Sequence, residues 1–62
     1  MWAQVKLTQS LMIAEMWKEL FEGEGVPARV LPLEPGAGEQ AKYRVLVPED
    51  KKHVIEEVLR KL

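Results

Sequence analysis

Lys42-Tyr43-Arg44-Val45-Leu46-Val47 decides the fold. The run is rich in β-branched and aromatic residues, and it alternates so that Tyr43, Val45 and Val47 share one side. It contains no proline, so every residue can donate to a ladder, and the stretch is expected at the centre of a sheet. Pro48 is expected to stop the strand. Glu49 and Asp50 then put acid in the first turn of a helix, where the helix dipole favours negative charge. Val54, Ile55, Val58, Leu59 and Leu62 give that helix an apolar stripe, and Arg60 and Lys61 place cations near its C-terminal end.

Upstream, residues 26–33 are also strand-like, but Pro27 and Pro32 cannot donate to a ladder. This second strand is therefore expected at an edge. Residues 34–41 form the loop between the two strands. Residues 11–22 switch to helical spacing, with Ile13, Ala14, Trp17, Leu20 and Phe21 on one stripe and most of the charge away from it. Thr8 or Ser10 is placed to cap the start, and Gly25 suits the left-handed residue that ends a helix. Residues 2–7 alternate, with Ala3, Val5 and Leu7 pointing one way and Trp2, Gln4 and Lys6 the other, as in a half-buried strand.

The element order is β-α-β-β-α. A right-handed crossover followed by a short hairpin has one natural solution, the split β-α-β. The expected fold is thus α+β and ferredoxin-like but without the last strand. It is a three-stranded antiparallel sheet of order 1-3-2 with two helices on one face, in one domain over residues 1–62. The missing fourth strand would lie beside the first, so the first strand is expected to be an open edge.

Composition narrows the function. A chain of 62 residues buries only about 60% of its unfolded surface, and self-association is a common remedy for so small a core. The chain has no cysteine, which removes disulfides, thiolate metal sites and a cysteine nucleophile, and fits a cytoplasmic setting. No apolar run approaches membrane-spanning length, and the first residues lack the layout of a signal peptide. Net charge is −1 with both signs interspersed, which gives no global attraction to nucleic acid or anionic lipid.

Three stretches resemble a family. They are Ile13-Ala14-Glu15-Met16-Trp17-Lys18-Glu19-Leu20-Phe21-Glu22, then Glu24-Gly25-Val26-Pro27-Ala28, then Tyr43-Arg44-Val45-Leu46-Val47-Pro48-Glu49-Asp50. Together they look like the bacterial family of unknown function labelled prokaryotic signal-transducing protein. The resemblance covers nearly the whole chain, in motifs that punctuate structure rather than perform chemistry. It implies a signal-transducing role in a fold similar to the nitrogen-regulatory PII-like proteins, which bind ATP and 2-oxoglutarate and form trimers. Their long signalling loop between strands two and three is replaced here by residues 34–41.

The leading expectation is a small interaction or signal-transducing module that self-associates, as a dimer, through its sheet. Trp2, Gln4 and Lys6 are expected on the open edge, and Arg29, Leu31, Arg44 and Leu46 on the bare face. The bare face is also expected to carry Trp2, Leu33 and Lys6. An apolar patch rimmed by polar groups marks an interaction site. The alternative is a PII-like sensor of a small anion or nucleotide, held near Gly36 and Gly38 with Lys42 close by. That loop feeds a strand rather than a helix N-terminus, so it lacks the converging N–H groups of a phosphate loop. Nucleic-acid binding by Lys6, Arg29, Lys42 and Arg44 would need stacked aromatics on the central strand, which offers Tyr43 alone. His53, Glu56 and Glu57 have helical spacing but too few companions for a metal site. Trp17, Met16, Met12 and Phe21 are assigned to the core rather than to a ligand pocket. No constellation of residues suggests catalysis, and no cofactor is expected.

Overall fold

The polypeptide runs through β1 (Trp2–Thr8), α1 (Leu11–Gly23), β2 (Arg29–Pro32), β3 (Tyr43–Pro48), a single 3-10 turn (Glu49–Lys51) and α2 (Lys52–Arg60). The computed structural model describes residues 1–36 and 38–62; Ala37, within the loop expected over 34–41, lies outside the described residues. The three strands form one sheet of order β1-β3-β2, with β3 antiparallel to both neighbours. This is the α+β arrangement that the proline-free run at 42–47 predicts.

Helix α1 is bounded by local chemistry at both ends. Ser10 caps its start, its Oγ accepting the Ile13 N–H at 3.3 Å and its carbonyl that of Ala14 at 3.2 Å. At the other end Gly25 adopts φ 84, and two N–H groups turn back onto the last carbonyls. Val26 donates to Phe21 and Gly25 donates to Glu22. This pair of bonds is the Schellman motif, and its usual apolar contact is present because Val26 and Phe21 are both buried. The motif also explains why β2 begins later than residue 26. The Val26 amide caps the helix, and Pro27 has no amide to offer, so pairing starts at Arg29.

Pro48 closes β3 from inside rather than from outside. It pairs with Trp2 as the last strand residue, and the ladder continues one step further through Glu49 N–H to the Met1 carbonyl at 2.8 Å. Residues 49–51 then form a 3-10 turn, so the α-helical hydrogen bonding of α2 starts at Lys52.

The core lies between one face of the sheet and both helices. Phe21 from α1, Ile55 from α2 and Val45 and Val47 from β3 are fully buried, with Ala14 and Tyr43 beside them. Helix α1 packs on all three strands and α2 on β1. Truncating a side chain such as Phe21 would cost roughly 3 to 5 kcal/mol. Among the described residues, no helix is long and apolar enough to cross a membrane.

The alternation expected over residues 2–7 fails halfway along. A β-bulge in β1 makes Gln4 partner Leu46 while Lys6 partners Val45, leaving Val5 as the extra residue. Every side chain beyond it changes face. Lys6 turns to the helix side, where its Nζ sits 4.6 Å from the centre of the Trp17 ring. Leu7 turns the other way, opposite Arg44, and is exposed. The expectation that Lys6 belongs to the bare face, and that Leu7 belongs with Ala3 and Val5, is thereby corrected.

Candidate functional site

The side of the sheet away from the helices is built from three short rows. Trp2, Gln4 and Leu7 come from β1, Arg29 and Leu31 from β2, and Arg44 and Leu46 from β3. Lys42 extends the β3 row, because its carbonyl accepts the Leu33 N–H at 3.0 Å and so continues the pairing of Leu31 with Arg44.

These residues are organised among themselves. The Arg29 guanidinium stacks over the Trp2 ring at 4.5 Å, linking the two edge strands across β3. Arg44 Nε donates to Gln4 Oε1 at 2.9 Å, linking β3 to β1. Leu46 lies between Gln4 and Arg29 in the ladder and is only 5% exposed, although no helix covers it. Trp2, Arg29 and their neighbours act as its cover. Leu46, expected as a contact residue, is instead the floor of the surface. The exposed apolar layer is Trp2, Leu7, Leu31 and Leu33. Leu7 is the residue that sequence reasoning missed, because only the bulge brings it to this side.

The charge of the face is one-signed. All ten carboxylates of the chain lie outside the three strands, whereas Arg29, Lys42 and Arg44 belong to this face. Among the described residues the one ion pair joins Arg60 to Glu57 on α2, so none of these three cations has an acidic partner. Two are held in fixed orientations, Arg29 by Trp2 and Arg44 by Gln4. A guanidinium preordered in this way loses less freedom when a partner arrives.

The outer edge of β1 is less inviting. Among the described residues no strand pairs there. The bulge at Val5 twists this segment, and bulges are a means by which edge strands resist further pairing. Lys6 does not project along the edge as expected but lies over Trp17.

The loop considered for an anion is tied to the body by its carbonyls. Gly38 accepts from the Tyr43 hydroxyl at 3.0 Å and from the Ala41 amide, and Glu39 accepts from the Leu11 amide. Gly36 and Lys42 do come together, on a shallow recess of about 280 Å³ that also receives Glu34, while Gly38 does not line it. The amides of Leu11, Ile13 and Ala14 at the neighbouring start of α1 are all in use. On α2, His53, Glu56 and Glu57 line a broad groove together with Arg60 and Lys61. Among the described residues no three His, Asp or Glu side chains are grouped so as to hold a metal ion.

The outer side of α1 also differs from expectation. Phe21 is core, but Met12 and Met16 are exposed, and Trp17 is half-buried. Met16 and Trp17 line an apolar groove of about 450 Å³ with Ile13, Leu20 and Leu62. Met12 and Met16, assigned to the core, are therefore surface residues, because the apolar side of α1 is wider than the sheet beneath it covers.

The chain matches no family model, and neither a curated protein nor a solved structure matches it.

Proposed function

We propose that this protein is a non-enzymatic interaction module, of the kind used in signal transduction, that self-associates through the open face of its sheet. One observation carries the reading. Four exposed apolar side chains, Trp2, Leu7, Leu31 and Leu33, share one face with three cations that form no ion pair among the described residues. Exposed apolar side chains gathered on one uncovered sheet face mark an interaction surface. Tryptophan and arginine are the residue types that most often dominate such contacts.

The face is favoured over the β1 edge because the bulge disfavours strand addition. Sedimentation velocity over a concentration series tests the reading. The expected result is a species heavier than one chain that grows with concentration, and its loss in Leu31→Asn. A single chain at every concentration contradicts it.

A further inference from the structure

We infer that the open sheet face of one copy docks on the outer side of α1 of a second copy, in a head-to-tail contact. This rests on the reading of the sheet as the self-association surface and names what it meets. The charge of the sheet argues against its meeting a copy of itself. A twofold contact would set the face that carries Arg29, Lys42 and Arg44 against an identical cationic face. Like charges brought together at an interface are strongly unfavourable. A complementary surface would be apolar with acid at its border.

The outer side of α1 has that character. At 100° per residue, Met12 and Met16 lie outermost, with Glu15, Glu19 and Glu22 along one flank and Ile13, Trp17 and Leu20 along the other. Met12, Met16, Glu15 and Glu19 share one recess with Leu11 and Glu39, and the apolar groove beside it is lined by Met16. No ion pair engages Glu15, Glu19 or Glu22 among the described residues. Methionine is flexible and polarisable, so it adapts to an irregular partner such as the exposed side chains of the sheet face.

The two surfaces also suit each other in position. The sheet face looks away from the helices, and the outer side of α1 looks away from the sheet. Each copy then presents both halves of one contact on opposite sides. Such a contact is heterologous. It adds chains until a ring closes, or it continues as a filament.

The test uses two exposed positions, one on each surface, so that folding is unaffected. Leu31→Asn breaks the sheet face and Met16→Asn breaks the α1 face. Leu33→Asn and Met12→Asn serve as a second pair, and circular dichroism checks each fold. Every variant is measured by light scattering after size exclusion, alone and mixed. The expected result is that each variant alone associates at least roughly tenfold more weakly than the natural protein. Mixing one from each surface restores association, but only to pairs of one chain each. Added salt weakens those pairs, because the charges at the rim are screened.

If Leu31→Asn stays monomeric while Met16→Asn associates like the natural protein, the α1 contact is overturned and the sheet reading stands. The same holds if both variants are monomeric and mixing restores nothing. If Leu31→Asn associates unchanged, or the natural protein is itself monomeric, the sheet reading fails and this inference fails with it.

Discussion

The Arg29 guanidinium lies 4.5 Å over the Trp2 ring, joining the two outer strands across the central one. The pair does structural work on the one face that no helix protects. It shelters Leu46, which is 5% exposed, and it fixes a cation at the surface.

Trp2→Ala removes both effects. The stacking contributes about 0.5 to 1 kcal/mol at an exposed site, and uncovering Leu46 adds to that. Urea unfolding is expected to show a loss of about 1 to 2 kcal/mol. An unchanged midpoint would mean that Leu46 is covered without Trp2.

Deleting Val5 tests the bulge. In the ladder Gln4 partners Leu46 and Lys6 partners Val45, so removing the extra residue leaves a regular pairing with every other side chain on its present face. The expected cost is about 1 to 2 kcal/mol, for a half-buried valine side chain. Were the strand regular from 2 to 7, the deletion would move Lys6 and Leu7 across the sheet and unfold the protein.

Two neighbouring glycines should respond with opposite signs. Gly25 has φ 84, where an alanine costs roughly 1 kcal/mol or more, although space for its Cβ is free. Gly23 is the last residue of α1 with no positive φ and nothing within 4 Å of a Cβ. Gly23→Ala is expected to stabilise by about 0.5 to 1 kcal/mol. Thermal unfolding of the two variants checks this, and a shift of the same sign in both would refute the cap.

Thr8→Val isolates a buried hydroxyl. Thr8 is 4% exposed and its single hydroxyl proton is shared between the carbonyls of Ser10, 3.0 Å from Oγ1, and Tyr43, 3.2 Å away, at the junction of β1 with β3 and the start of α1. The near-isosteric change should cost about 1 to 2 kcal/mol. Faster hydrogen exchange at the Ile13 and Ala14 amides should accompany it, since Ser10 caps that end. Exchange unaltered there would uncouple the two ends.

The architecture was legible because period and punctuation agree. The proline-free run at 42–47 sits centrally, the prolines at 27 and 32 flank an edge strand, Ser10 caps α1 and Gly25 ends it. The candidate surface was legible only in part. Gln4, expected on the open edge, turns inward over the bare face and accepts from Arg44, while Trp2, Arg29, Leu31 and Arg44 stand on the expected face. Lys6 does not, because alternation of Ala3, Val5 and Leu7 looks the same with or without a bulge, and the aliphatic stem of a lysine packs against an aromatic ring as an apolar residue would. Leu46 could not be read as buried either. Its cover comes from residues that sit 17 and 44 positions earlier in sequence, Arg29 and Trp2, and no local pattern carries that information. The exposure of Met12 and Met16 escaped notice for a related reason. Helical spacing identifies an apolar stripe, but the width that three strands can cover is a tertiary quantity.

The most direct measurement is a dilution series followed by methyl and indole NMR. The account predicts concentration-dependent shifts at the methyls of Leu7, Leu31 and Leu33 and at the Trp2 indole N–H, while the core methyls of Val45 and Ile55 stay fixed. Constant shifts at all four surface residues, from the lowest to the highest concentration, would contradict it.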